Sequence, residues 1–168
     1  MTMTKQQIIA KYVGARAQFQ LSGRPPWIGV VHSVQEIDEV LKAYIKPVKD
    51  GENRLFPPQW LSIARLVLVD GGGISPKTLE WYFKHCLKYL NWTAERLTKS
   101  KTHEARRMRR LVVTCLRDFS DASETAIANL VGCSLETSMG FSIGAQSYEG
   151  IFEEYIALRR FIAAEELK

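Results

Sequence analysis

The sequence predicts an all-α protein of about seven helices in one compact domain, with at most one short strand. Three observations predict this fold class. Apolar residues recur at intervals of three and four over most of the chain, as on the buried face of a helix. Serine, proline and glycine stand where such helices would begin and end. Only the Trp-Ile-Gly-Val-Val stretch at 27–31 has the composition of a strand, and it is too short to imply a sheet.

The first 75 residues are predicted to be helical, with three helices over 5–19, 33–46 and 57–69. Ser33 and Glu36 have the spacing of a capping box, in which each side chain bonds a free backbone N–H. Pro57 suits a first helical turn, and the segment after it is apolar nearly all round, so we expect it to be the central helix. The glycines at 71–73 then end it. They lack the preceding strand and the following Lys-Ser/Thr pair of a phosphate-binding loop.

The rest of the chain is predicted to be helical as well, over 76–90, 102–119, 124–131 and from 135 to about 167, with a break near Gly150. Charge divides the single domain 1–168 into three parts. Residues 1–75 form the N-terminal helices, 76–117 a basic helical pair with net charge +8, and 118–168 an acidic part with net charge −6 that includes the tail helix. A chain with this asymmetry is expected to bring a polyanion to its middle part.

The basic part supplies the candidate phosphate ligands. Arginine binds phosphate through paired hydrogen bonds, and an outward-facing row of cations with few carboxylates is typical of a nucleic-acid contact surface. The expected contacts are Lys84, Lys88, Lys99, Lys101, Arg106, Arg107, Arg109, Arg110 and Arg117. Two alternatives stay open: a solvated charged face that binds nothing, and a face that docks on an acidic protein surface.

Residues 125–134 have the pattern of a helix-turn-helix. Ala128 is small enough for two helices to cross closely, Gly132 is expected to make the turn, and Ser134 to cap the second helix. The first turns of that helix would then present Thr137 and Ser138 to base edges. The alternative is a helical hairpin with a purely structural role. Because no Lys or Arg lies between Arg117 and Arg159, the phosphate contacts would come from helix 102–119.

This segment resembles the helix-turn-helix of sigma-factor region-four domains and of related phage late regulators. More loosely, 111–157 is similar to the end of lambdoid-phage Q antitermination proteins. The residues that carry the resemblance are Ile127-Ala128, Gly132-Cys133-Ser134 and Glu149-Gly150-Ile151-Phe152-Glu153. The resemblance implies a DNA-binding transcription regulator from a phage or mobile element, acting in antitermination or late-gene expression together with RNA polymerase. The alternative function is a small non-enzymatic interaction protein, an inhibitor or nucleoprotein-complex subunit, that docks through its basic face without sequence readout.

Catalysis is not predicted, although Gly140-Phe141-Ser142-Ile143-Gly144 fits the G-x-S-x-G spelling of a serine-hydrolase elbow. That elbow needs a strand before the serine and a histidine after it. All three histidines precede Ser142, and no apolar strand precedes Gly140. The segment is expected to be a helix with a buried stripe and two glycines for close packing. The stripe consists of Leu135, Met139 and Ile143.

The acidic tail has helix-spaced apolar residues, so 139–158 is expected either to close the protein's own core or to bind a second copy. The three cysteines are widely spaced, as expected for buried thiols in a reducing cytoplasm without a metal or cofactor. No stretch is long and apolar enough for a membrane span, and the first residues lack a signal peptide's apolar run.

Overall fold

The computed structural model contradicts the all-α prediction, because the chain folds into an antiparallel sheet and a set of helices. It has five strands and seven α-helices in the residues that it describes. Those residues are 3–20, 26–48, 56–75, 77–143 and 150–168. Two compact units contain them: unit 1 is Met1–Lys77 with Ala163–Lys168, and unit 2 is Thr78–Ile162. The protein is therefore of the α+β class.

Unit 1 is a five-stranded sheet with one helix. The helix α1 (Lys5–Tyr12) opens with a capping box formed by Thr4 and Gln7. The strands are β1 (Arg16–Phe19), β2 (Trp27–Ile37), β3 (Val40–Pro47), β4 (Gln59–Ser62) and β5 (Val67–Leu68), with a 3₁₀ helix (Ile63–Arg65) between the last two. Their order in the sheet is β4-β3-β2-β1-β5, and every neighbouring pair is antiparallel.

The predicted helix 33–46 is instead the long β2–β3 hairpin. Its turn residues, Asp38 and Glu39, have φ of 51° and 72°. Positive φ at both central turn residues matches the right-handed twist of paired strands and closes a tight hairpin. In β3, alternate residues point inward and are buried, namely Leu41, Ala43 and Ile45. This period of two places their side chains on the core face, so the helical spacing of the apolar residues was coincidental.

The predicted helix 5–19 is correct only in its first eight residues, and the predicted helix 57–69 is wrong. The first ends at Tyr12, and Gly14 with φ of 81° turns the chain into β1. The second is β4, the 3₁₀ helix and β5, whose apolar residues enter the core of unit 1 from an extended backbone. Short buried strands and buried helix segments share an almost continuous apolar run, so periodicity does not separate them. The glycines at 71–73 follow a strand and therefore end no helix.

Unit 2 contains the helices α2 (Leu79–Leu90), α3 (Ala94–Lys99), α4 (His103–Phe119), α5 (Glu124–Val131), α6 (Leu135–Gly140) and most of α7 (Ile151–Glu166). The helices predicted over 102–119 and 124–131 are confirmed within one residue. Each helix from α2 to α6 begins after a serine or threonine whose side chain accepts a hydrogen bond from the backbone three residues on. The buried stripe of α4 centres on Leu111, Val112, Cys115 and Leu116.

The helix predicted from 135 to about 167, with a break near Gly150, is wrong at residues 141–143. Helix α6 ends at Gly140, residues 141–143 have no helical backbone, and the chain is next described at Gly150, before α7. Among the helices described, none combines the length and apolar content that a membrane span requires.

Candidate nucleic-acid interface

Helices α5 and α6 meet at the turn that the sequence predicts. Gly132 adopts φ of 80°, and its N–H bonds the carbonyl of Ala128 at 2.9 Å. A Cβ at this glycine would lie 2.8 Å from Cβ of Thr98, at the end of α3. Ser134 caps α6, accepting from the N–H of Thr137 at 3.1 Å. Glycine is therefore needed here both for its backbone conformation and for the close approach of α3.

Of the two predicted base contacts, only one is accessible. Thr137 is exposed on α6, and its Oγ1 accepts from the Ser134 hydroxyl at 2.8 Å. Ser138 is fully buried, and its carbonyl accepts from Arg117 at 2.8 Å. The prediction that Ser138 contacts bases is therefore wrong, since six-residue α6 turns this side chain toward unit 2's own core.

Two apolar side chains of α6 are exposed to solvent, which contradicts the predicted buried stripe at these positions. Leu135 and Met139 are 43% and 62% exposed. Gly140 was expected to allow close packing, yet a Cβ there would meet no atom within 4 Å. Phe141 and Ser142 lie outside any helix, and Gly144 lies outside the described residues. Within the described residues, therefore, nothing packs closely against Gly140 in the way that the sequence predicted.

One open concavity, called here the basic groove, collects several predicted contacts. Its volume is about 370 Å³, and it lies between the end of α3, the start of α4, and the α5–α6 turn with α6. Four cations and Thr137 line it together, the cations being Lys99, Lys101, Arg106 and Arg109. No carboxylate is among its described lining residues. An anion entering this groove would therefore meet positive charge without local repulsion.

A second concavity of about 590 Å³ adjoins the first, because Arg106 lines both. His103, Arg107 and Arg110 line it together with Glu104. The mixture of signs makes this surface a weaker anion site than the basic groove.

Arg117 is bound within unit 2. It donates to both carboxylate oxygens of Glu124, at 2.7 and 3.2 Å, and to the carbonyls of Phe141 and Ser138, at 2.7 and 2.8 Å. The hydrogen bond to Glu124 raises the pKa of Arg117 above its usual value. Its donors hold α5 and the end of α6 against α4, so a phosphate would have to displace these bonds.

Three further α4 arginines also donate to the chain itself. Arg109 bonds the carbonyls of Leu97 and Ser100, both at 2.7 Å, which fixes the end of α3. Arg110 bonds the carbonyl of Ser142. Arg107 forms an ion pair with Glu154 on α7. Because these arginines already bond the chain, they hold the basic groove and its surroundings in place and offer fewer donors to an external ligand.

The remaining predicted cations are exposed. Arg106 and Lys101 stand at the mouth of the basic groove. Lys99 pairs with Glu95 at 3.2 Å, but both side chains are 76% exposed, so this pair is weak and readily exchanged. Lys84 and Lys88 are exposed on α2 and do not line the groove.

Cys133 is a groove residue that sequence reasoning assigned to the core. Cys86 and Cys115 are buried as predicted, whereas Cys133 is partly exposed and lines the basic groove. Burial raises the pKa of the Cys133 thiol, with the positive charge of Arg109 acting in the opposite direction. The partial exposure of Cys133 could have been predicted from its position beside the turn glycine, because a residue between two helix ends is seldom fully buried.

Part of the predicted oligomer surface 139–158 is used within unit 2. Ile151, Tyr155 and Leu158 are at most 3% exposed. The hydroxyl of Tyr155 donates to Asp118 on α4, and burial raises the pKa of this tyrosine well above its usual value. Residues 144–149, including Glu149 of the sequence resemblance, lie outside the described chain. The described apolar face of α7 therefore closes the core of unit 2.

The described residues contain no group of three or more His, Cys, Asp or Glu side chains able to hold a metal ion. No protein-family model matches the chain, and no curated protein or solved structure is significantly similar to it. Its fold and side chains define an α+β protein with an open cationic groove, and the function of that groove is inferred from its own chemistry.

Proposed function

We propose that this protein binds nucleic acid, DNA rather than RNA, through the basic groove, and acts as a transcription regulator. The observation that carries the proposal is the convergence of Lys99, Lys101 and Arg106 with Thr137 in one concavity that has no acidic lining among the described residues. Cations bind the phosphate backbone, and a hydroxyl side chain can bond base edges. The groove thus offers both kinds of contact on neighbouring elements.

The internally bonded arginines support this function indirectly. Arg109 fixes the end of α3, and Arg117 fixes α6, by bonds to backbone carbonyls. Groups held in place before binding lose less conformational entropy when a ligand arrives. The exposed cations then supply the charge, while the bound arginines supply the shape of the groove.

The test of phosphate binding is a salt titration with a duplex of random sequence. Arg106→Ala and Lys101→Ala should each flatten the slope of log affinity against log salt by about 0.9 for one lost phosphate contact. Lys5→Ala is the matched control, since Lys5 is an exposed lysine of unit 1 paired with Glu36. Slopes that stay unchanged in both groove variants would overturn the proposal.

Sequence readout is tested separately with Thr137. Selection from random duplexes should enrich one sequence for the natural protein, and Thr137→Ala should lose about 1–3 kcal/mol of discrimination at one base pair. Maleimide labelling of Cys133 gives an independent check, because it is the one partly exposed cysteine of three. Bound duplex should slow its labelling. Equal labelling at saturating duplex would place the DNA elsewhere.

The exposed apolar pair on α6 favours a second candidate function, docking on another protein without sequence readout. Leu135 and Met139 lie one turn apart and stay open to solvent. Paired apolar side chains on a short helix are typical anchors for a protein groove. The sequence resemblance to phage regulators makes RNA polymerase the partner to try first.

Leu135→Ser with Met139→Ser tests this candidate. If the protein docks on polymerase, the double variant should lose binding to purified RNA polymerase in a pull-down and keep its affinity for duplex DNA. Lys84→Ala, an exposed change on α2, serves as the surface control. Retention of polymerase by the double variant, or no binding by the natural protein, would remove this second function.

A further inference from the structure

The outer face of the unit 1 sheet carries aromatic and basic side chains in register. Tyr44 on β3 lies opposite Ser33 on β2 and Trp60 on β4. Lys42 and Lys46 stand two residues to either side of Tyr44, on the same face. The intervening Ala43 and Ile45 point to the core and are fully buried. We call the set His32, Tyr44, Trp60, Lys42 and Lys46 the aromatic-basic strip.

The rings of the strip lie on three neighbouring strands, with interplanar angles of 45° for Tyr44 and Trp60 and 74° for His32 and Tyr44. The ring centroids of Tyr44 and Trp60 are 5.1 Å apart, and those of His32 and Tyr44 are 6.3 Å apart. Trp60 is 38% exposed, and His32 is exposed at the irregular step in the β2–β3 register. Both rings are therefore accessible to a ligand from the solvent side of the sheet.

The charged side chains within the strip are lysines. The ammonium of Lys46 lies 5.9 Å from the centroid of the Tyr44 ring. Among the described strand residues the only carboxylate is Glu36, and it pairs with Lys5 of α1 at 3.0 Å. Lys42 and Lys46 are therefore not neutralised by an acidic strand neighbour. The strip thus combines positive charge with the partly buried ring of Tyr44 and the exposed rings of His32 and Trp60.

We propose that the aromatic-basic strip binds single-stranded nucleic acid. Unpaired bases stack on aromatic rings, and lysines beside them bond the phosphates that link those bases. A duplex hides its base faces, so it could use the lysines but not the rings. Three neighbouring strands span roughly 10 Å, which suits two or three stacked bases on a sheet.

This inference does not depend on the basic groove. The strip belongs to unit 1 and the groove to unit 2, and no residue is common to both. The chemistry also differs, since the groove has a hydroxyl and cations, whereas the strip has rings and cations. RNA and DNA single strands share bases and phosphates, so the experiment includes both.

The test uses the full chain with fluorescent oligo(U) and oligo(dT) of about ten nucleotides, within the usual range of single-strand sites. Tyr44→Ala and Trp60→Ala should each weaken binding about tenfold, as expected for loss of one stacked base. Lys46→Ala should flatten the salt slope by about 0.7. Trp60→Phe should keep most of the affinity, which separates loss of stacking from loss of folding.

Matched variants separate the two surfaces. Trp60→Ala should weaken oligonucleotide binding and leave duplex affinity unchanged, whereas Arg106→Ala should weaken duplex binding more than oligonucleotide binding. Lys11→Ala controls for the loss of one positive charge within unit 1 without leaving a carboxylate unpaired, since Lys11 bonds the carbonyl of Gly72. Preference for either oligonucleotide, or equal binding, supports the proposal. The proposal is overturned if neither oligonucleotide binds the protein, or if folded Trp60→Ala and Tyr44→Ala bind the oligonucleotides normally. It is also overturned if Arg106→Ala alone weakens oligonucleotide binding. A failure of duplex binding alone contradicts the proposal for the basic groove and not the one for the strip.

Discussion

The two basic surfaces of this protein hold their cations in different ways. On α4, Arg109, Arg110 and Arg117 donate to backbone carbonyls of unit 2, and Arg117 also binds Glu124. On the unit 1 sheet, Lys46 stays exposed over an aromatic ring. The α4 surface is richer in positive residues, yet much of that charge is already coordinated by the chain.

A row of arginines therefore does not by itself predict a ligand surface. Arginine has five N–H donors in a rigid fork, so it satisfies helix ends and loops as well as phosphates. Lysine has a compact, strongly hydrated ammonium on a flexible stem and more often remains in water. Net charge located the middle of the chain correctly as basic but could not distinguish coordinated from available cations.

Arg117→Ala should have the largest effect and sharpen this contrast. It removes hydrogen bonds to a carboxylate and to two carbonyls that are partly buried, so the free energy of unfolding should fall by about 3 kcal/mol. Urea denaturation measures it. Arg106→Ala, an exposed arginine of the same helix, should change stability by less than about 0.5 kcal/mol. Similar losses of stability in both variants would show that the hydrogen bonds of Arg117 add no more to stability than the exposed side chain of Arg106.

Gly29→Ala tests the sheet in the same way and should have the next largest effect. A Cβ at this position would lie 2.6 Å from the carbonyl oxygen of Lys46 and 2.8 Å from Phe56. Because the carbonyl belongs to β3, the strand itself must shift, at a cost of about 2 kcal/mol. Gly140→Ala is the control in unit 2, where the added Cβ meets nothing within 4 Å. Thermal denaturation followed by circular dichroism should give an unchanged midpoint for the control, and an unchanged midpoint for Gly29→Ala would refute the packing.

Glu39→Gly should have the smallest effect, and in the opposite direction. Glu39 has φ of 72° in the β2–β3 turn, a conformation that costs an L side chain about 1 kcal/mol. Glycine removes that cost but gains entropy in the unfolded chain, so Glu39→Gly should be about 0.5 kcal/mol more stable than Glu39→Ala in urea denaturation. The alanine variant loses the same carboxylate and keeps the strain, so it is the matched reference. A glycine variant less stable than the alanine variant would contradict the hairpin turn.

The helices of unit 2 could be predicted because their signals are local. Ser123 and Ser134 cap α5 and α6, and Gly132 makes the turn between them, as the pattern indicates. The burial of Ser138 could not be predicted, because it depends on how α6 packs and on the contact with Arg117. Likewise, Thr137 and Arg106 share a groove only through the tertiary arrangement of α4 and α6.

The sheet was missed for two physical reasons. Val34, Ile37 and Leu41 lie three and four residues apart, which imitates a helix face although a turn separates them. That turn is Asp38-Glu39, which lacks the asparagine or glycine that usually marks a tight hairpin. Without the sheet, Tyr44 and Trp60 are sixteen positions apart in sequence, and their pairing is visible only in the strand register.

The lengths of the outermost strands have a consequence for how unit 1 meets other molecules. β4 has four residues and β5 has two. A foreign strand added to either rim would gain few backbone hydrogen bonds, and such short rims are a common protection against edge-to-edge aggregation and domain swapping. Neither rim therefore offers another polypeptide strand much backbone to extend.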